Sequence, residues 1–197
     1  MAAMSSIGRQ GAASLRMLAV MTLLLGVLYP ATIWGVGRLG LTHQADGSLI
    51  ASHGAVVGSS LLGQNFTDPR HFAGRASASG YSGDTSGGTN LYASSEEQRR
   101  AIAARRSTYA EANAGALAPA DALTASASGL DPDISPGNAL AQAPRVARAN
   151  GLSVAVVEAL VRDHTQGRTL GFLGEPRVNV LELNLAVDSL RTRAGRG

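Results

Sequence analysis

The sequence predicts an α+β protein in which one membrane-crossing helix precedes a mixed domain of short strands and about four helices. Three observations carry this reading. A stretch near the N-terminus has no charge over 21 residues, a long tract rich in Gly, Ser and Asn follows, and the last third holds capped segments with apolar residues at helical spacing.

The chain of 197 residues has room for one span and one domain of about 150 residues, a size that buries about 70% of its unfolded surface. Hydrophobic residues make up 45% but aromatics only 4%, so the core must be built from Ala, Val and Leu. All 17 basic residues are arginines, against 14 acids, and setting aside Arg9 and Arg16 leaves 15 against 14. That balance supports no broad basic face, and nucleic acid is excluded as a partner. Without Cys there is no disulfide framework, thiolate metal site or Cys nucleophile.

The uncharged run lies between Arg16 and Arg38 and would extend about 32 Å as a helix, one bilayer crossing. A cleaved signal peptide is the competing reading, but the run is longer than an h-region needs, and Tyr29 and Trp34 suit an interface. Arg9 and Arg16 place the N-terminus in the cytoplasm. The expected organisation is a cytoplasmic leader over 1–16, a transmembrane helix over 17–37, an extracytoplasmic domain over 38–190 and a disordered Arg-rich tail over 191–197. Pro30 removes one backbone hydrogen bond and predicts a kink. No Asp, Glu, Lys or His lies in the span, so it lacks the groups that mark ion pathways.

From Asp46 to Asn90, apolar pieces at Leu49–Ile50, Ala55–Val57 and Leu61–Leu62 predict short strands and turns. Ser94 and Glu97 have capping-box spacing ahead of an Ala- and Arg-rich helix ending near Gly115. Ser135 caps a second helix, with Pro136 at its first position, Pro144 as a bend and Asn150-Gly151 as the stop. Ser153 starts a third, with a stripe of Val157, Leu160, Val161 and His164 closed by Gly167. A strand near Leu170–Leu173 leads to a fourth helix, capped by Asn179 with Glu182 at N3. There Val180, Leu183, Val187 and Leu190 share one face that must pack on the domain or on a partner.

Several apparent catalytic motifs dissolve on inspection. The tract GDTSGGTN, Gly83 to Asn90, differs from a serine-protease motif by the inserted Thr85 and reads as a polar turn. A P-type phosphorylation site and a Walker A loop each need a Lys that the chain lacks. His43, His53, His71 and His164 have no metal-ligand spacing, and Asp131 and Asp133 read as a turn entering a helix. Arg99, Arg100, Arg105 and Arg106, with Glu96, Glu97 and Glu111 nearby, read as a salt-bridged face rather than a site for anionic headgroups. No catalytic residue and no metal ligand is expected.

Three stretches, GSSLLGQNFTDPRHFAGRASA from Gly58, TASASGLDPDISP from Thr124 and VNVLELNLAVD from Val178, resemble the C subunit of the Kdp potassium-transporting P-type ATPase. SGGTNL from Ser86 and QAPRVA from Gln142 fit the same order, and the similarity covers roughly Leu15 to Leu190. Ala76 departs from the pattern, which carries a proline there. The resemblance implies a non-catalytic accessory subunit in a bacterial inner-membrane complex for potassium uptake. Its implied partners are a KdpA-like potassium-selecting subunit, a KdpB-like ATP-hydrolysing subunit and a small F subunit, with the lipid bilayer around the span. ATP enters through the complex: the family is described as a catalytic chaperone that raises the ATP affinity of the B subunit, with a role for the glutamine matching Gln142. The alternative is a chaperone that binds nucleotide directly through Gln142, in a ternary complex with the B subunit and ATP. An extracytoplasmic domain cannot reach cytoplasmic ATP, so Gln142 reads more simply as a structural bond on its helix, and any effect on ATP affinity as indirect.

Overall fold

The structure is a computed structural model describing residues 2–194. It divides into two compact units, Met1–Ser48 and Leu49–Gly197. The long helix of the first unit runs past Arg38 to Gly40, and a further helical turn follows before the division after Ser48.

In the first unit, α1 (Ala2–Leu23) continues through a π-helical segment (Leu24–Leu28) into α2 (Tyr29–Gly40), and a single turn, α3 (Thr42–Ala45), follows. The stretch Ile7–Gly40 is one helix of 34 residues, long and apolar enough to cross a membrane. Pro30 explains the π segment. It offers no N–H to the Gly26 carbonyl and its ring crowds that oxygen, so the ladder widens by one residue and the Tyr29 N–H donates to Leu24 O. At the far end the Arg38 guanidinium lies 6.0 Å from the Trp34 ring centroid and 3.1 Å from Asp46. Both ion-pair partners are half exposed, so the pair contributes little.

The second unit opens with a hairpin, β1 (Leu49–Ser52) and β2 (Ala55–Ser59). His53 and Gly54 both have positive φ, the conformation of a two-residue primed turn. The register slips between Ile50 and Ala51, and Gln64 Nε2 takes up the Val57 carbonyl there at 2.9 Å. Of the three apolar pieces, Leu49–Ile50 and Ala55–Val57 lie in strands and Leu61–Leu62 lies in a turn. The long coil from there to α4 (Glu96–Ala112) is tied to the segment before β3 by Gly63 N–H to Leu130 O, Ser126 N–H to Ala76 O and Gly87 N–H to Ser128 O.

A second sheet holds β3 (Asp133–Ile134), β5 (Arg177–Asn179) and β4 (Thr165–Gln166), antiparallel in that order. Its strands are two or three residues long and none of the three was expected; Asp133, read as part of a turn, begins β3. Leu170–Leu173, expected as a strand, is instead a tight turn closed by a bridge between Thr169 and Leu173, with Leu170 and Phe172 largely exposed.

Four longer helices and one turn, α5 (Ala120–Leu123), complete the unit. Ser95, one residue later than expected, caps α4 by accepting from Gln98 N–H. Ser135 caps α6 (Pro136–Asn150), which runs unbroken through Pro144 and ends on Gly151 in the left-handed region. Ser153 caps α7 (Val154–Asp163), and Asn179 Oδ1 accepts from Glu182 N–H at the start of α8 (Val180–Ala194). Helix α8 therefore covers Arg191 and Arg193, part of the tail expected to be disordered; 195–197 lie outside the described residues.

The core gathers Phe72, Ile134, Val146, Val157, Val161, Val178, Val180, Leu183 and Val187. Ala139, Ala143 and Ala147 on α6 are fully buried, and their small size lets α7 approach closely. Val180, Leu183 and Val187 thus face the domain's own interior, while Leu190 is only half-buried at the end of the stripe.

Candidate functional site

A cleft of about 540 Å³ lies between the coil from Phe66 to Gly74, the second half of α4 and one face of α6. Asn138, Gln142 and Arg145 supply its floor; their spacing places them on a single helical face.

Gln142 is 1% exposed, and every bonding position of its amide is engaged. Its Oε1 accepts from Ala73 N–H at 2.8 Å and from Arg145 at 2.7 Å, while its Nε2 donates to Ala73 O at 3.1 Å and Asn138 Oδ1 at 3.0 Å. Asn184 on α8 does the same for the preceding residue, accepting from Phe72 N–H at 2.7 Å and donating to Phe72 O at 3.0 Å. Two side-chain amides thus imitate a β-ladder along a coil that has no strand partner.

The clamp extends further along the coil. Arg145 donates to Pro69 O and His71 O, and Asn150 donates to Arg70 O at 2.8 Å. From Pro69 to Ala73, five consecutive backbone carbonyls accept from side chains of α6 and α8. His71 Nε2 adds a contact to Asp188 at 3.1 Å, and the ring meets Phe66 edge-on. This wall of the cleft is held by side chains throughout, which pre-organises it.

Tyr109 on α4 donates to Asn138 Oδ1 at 3.0 Å, and burial, followed by the nearby Asp121 carboxylate, pushes its phenol up to about 12. Burial also lowers the Arg145 guanidinium from its ordinary value. On the rim, Arg70 holds the Asp68 carboxyl well below the usual carboxylate range through side-chain hydrogen bonds.

Several other residues singled out in the sequence have structural partners. Asp131 pairs with Arg75 at 2.8 Å and accepts from Asp133 N–H, and Asp133 pairs with Arg177 at 3.2 Å. Burial raises the Asp133 carboxyl above its ordinary value. In the Gly83–Asn90 tract, Asp84 accepts from Ser82 and Thr85, and Ser86 Oγ donates to Ser128 O. A side chain at Gly129 (φ +71) would meet Gly87 O at 2.8 Å, so the glycine at 129 allows this close passage. Of the arginines on α4, Arg100 pairs with Glu96 and Arg105 turns to the cleft, donating to Leu123 O. No three His, Asp or Glu side chains gather as metal ligands among the described residues.

Sequence reasoning singled out Gln142 but missed Arg145, Asn184 and Tyr109. The usable signal was polar: Asn138, Gln142 and Arg145 recur on the face of α6 beside its buried alanines, and Asn184 stands between Leu183 and the rest of an apolar face.

The family model for K+-transporting ATPase, c chain, matches residues 12–189. The chain is 50% identical over 183 residues to a potassium-transporting ATPase KdpC subunit of Methylococcus capsulatus, covering 90% of this chain and 96% of the relative. It is 47% identical over 187 residues to a protein of the same description from Mycobacterium tuberculosis, with 92% and 99% covered. With another from Kineococcus radiotolerans it shares 49% identity over 192 residues, 95% and 97% of the two chains. Matches of that identity over nearly the whole of each chain leave one assignment: this chain belongs to the KdpC family, the c chain of the K+-transporting ATPase.

Proposed function

We infer that this chain is a non-catalytic accessory subunit of an ATP-driven potassium-uptake complex, anchored by its N-terminal helix and contributing its domain as an assembly platform. The near full-length match to subunits named for that ATPase carries the reading. The sequence supports it: a chain without Lys cannot form the usual phosphorylation or Walker A signatures.

In finer detail, the span crosses a bacterial inner membrane with the N-terminus in the cytoplasm and the domain outside. The partners are the potassium-selecting subunit, the ATP-hydrolysing subunit and the small F subunit. The chain raises the pump's ATP affinity indirectly: a subunit that prefers one pump conformation must, by linkage, shift the affinity of every ligand sensitive to that conformation. A direct nucleotide contact through Gln142 is the second reading. The complete engagement of that amide weighs against it, because a ligand would have to displace bonds to Ala73, Asn138 and Arg145.

A topology reporter fused after Leu190 tests the arrangement. An external signal is expected; a cytoplasmic one would overturn the orientation and reopen the nucleotide reading. In the purified complex, omitting this subunit is expected to weaken apparent ATP affinity, while photo-reactive ATP labels the ATP-hydrolysing subunit alone. Labelling of the peptide holding Gln142 would decide for direct contact.

A further inference from the structure

Two cations border the cleft, Arg145 on its floor and Arg105 on α4, and neither has a salt-bridge partner among the described residues. Arg145 places four of its five N–H groups on neutral oxygens, those of Asn113, Pro69, His71 and Gln142. Arg105 makes one bond, to the Leu123 carbonyl. Asp68, the one carboxylate lining the cleft among the described residues, is bonded to Arg70 on the rim and reaches Arg145 only as a charge through space. Asp121 lies outside the lining and accepts from Ser135 and Asn138.

The rest of the surface is largely apolar, contributed by Phe66, Pro69, Ala104, Ala112 and the stems of the polar residues. An apolar trough whose positive charges have no salt-bridge partner calls for a ligand that is anionic at one point and apolar beside it. A volume of about 540 Å³ suits a few side chains and is too small for the two acyl chains of a phospholipid. Thr108, Asn113 and Asn138 interrupt the apolar walls with groups able to bond a peptide backbone.

We propose that this cleft is the socket for an acidic, apolar-flanked segment of another subunit of the complex, its carboxylate paired with Arg105 under the field of Arg145. Arg145 is already built into the clamp that holds the wall, so it supplies charge without moving. Arg105 sits on the half-exposed side of α4 and closes the pair. The proposal rests on the accessory-subunit reading.

The test uses the full chain expressed with its partner subunits. A photo-reactive phenylalanine analogue replaces Thr108 or, separately, Ala112, both exposed within the cleft, with Thr85 as an exposed position away from it. The expected result is an adduct from the two cleft positions, and not from Thr85, to a peptide of another subunit with Asp or Glu within a few residues of the attachment point. Arg105→Glu in the same chain should lower the adduct about tenfold or more, and changing the partner's acid to Arg should restore it. Adducts only with lipid, only within this chain or only to a segment without an acid overturn the proposal, as does a yield indifferent to Arg105→Glu. If the complex co-purifies but the cleft positions give no adduct, the socket alone fails. If the unmodified chain does not co-purify with the other subunits, the accessory reading fails and the socket with it.

Discussion

The two units of this protein use the same side chains in opposite ways. In the first, Leu25 is 65% exposed and Trp34 67%, and no residue of the π segment or α2 is buried; in the second, Leu183 and Val187 are wholly enclosed. A single helix has nothing to bury its apolar surface against, so that surface is stable only where the solvent is itself apolar. The contrast extends to the backbone. The first unit closes its hydrogen bonds within one helix, whereas the second leaves a coil unpaired and satisfies it with Gln142, Asn184, Arg145 and Asn150. The domain therefore depends on contacts distant in sequence and the span does not.

The largest expected effect tests that dependence. Leu183→Asp puts an unpaired carboxylate into the core, combining about 2–3 kcal/mol of lost transfer energy with a desolvation cost of several more, a large part of the ~5–15 kcal/mol that holds a domain together. The cooperative thermal transition of the purified chain should be lost, and Leu183→Ala should retain it at a cost of about 2–5 kcal/mol. Normal melting in both would show that the α8 face is not core.

Leu25→Asp is the converse. It should leave the domain's thermal transition unchanged while making membrane insertion less favourable by about 3–4 kcal/mol, read as the membrane-associated fraction after alkaline extraction. A lowered melting temperature with insertion intact would mean the two units are not separate.

Gln142→Leu keeps the bulk but strands both backbone groups of Ala73 and one N–H of Arg145, at about 1–3 kcal/mol for each group that water cannot reach. Hydrogen exchange should rise first at the Ala73 amide. Unchanged stability together with weakened ATP dependence in the complex would instead give Gln142 a ligand role.

The smallest effect belongs to Tyr109→Phe, about 1 kcal/mol at neutral pH for the bond to Asn138. Its pH dependence is more telling. Burial pushes the folded phenol up to about 12 from an ordinary 10.0, so the folded state holds its proton more tightly. That contribution is fully present below pH 10 and lost as the pH rises towards about 12. Denaturant midpoints should fall over this window in the wild type and less steeply in Tyr109→Phe. Equal slopes would mean Tyr109 is more open to water than its place beside Asn138 implies.

What the sequence by itself determined is local in origin. The uncharged run between Arg16 and Arg38 specifies a span through composition alone. Ser135, Ser153 and Asn179 announce helix starts because a cap bonds an N–H only three residues away. Gly151 marks a stop because φ +66 suits a residue without a side chain. Even the one-residue error at Ser94 and Ser95 is local, two adjacent serines competing for one cap. Tertiary structure decided the rest. Strands of two or three residues carry no periodicity, and Asp133 pairs with Asn179 across the whole of α6 and α7 in sequence. The apolar run Leu170–Leu173 reads as a strand yet is an exposed turn, since hydrophobicity states a preference and not a partner. The cleft lay furthest from sequence reasoning. Gln142 lies 69 residues from Ala73, and Asn184 lies 112 from Phe72. No rule confined to one helical turn reaches that far; only closing those loops turns polar residues on α6 and α8 into the wall and floor of a site.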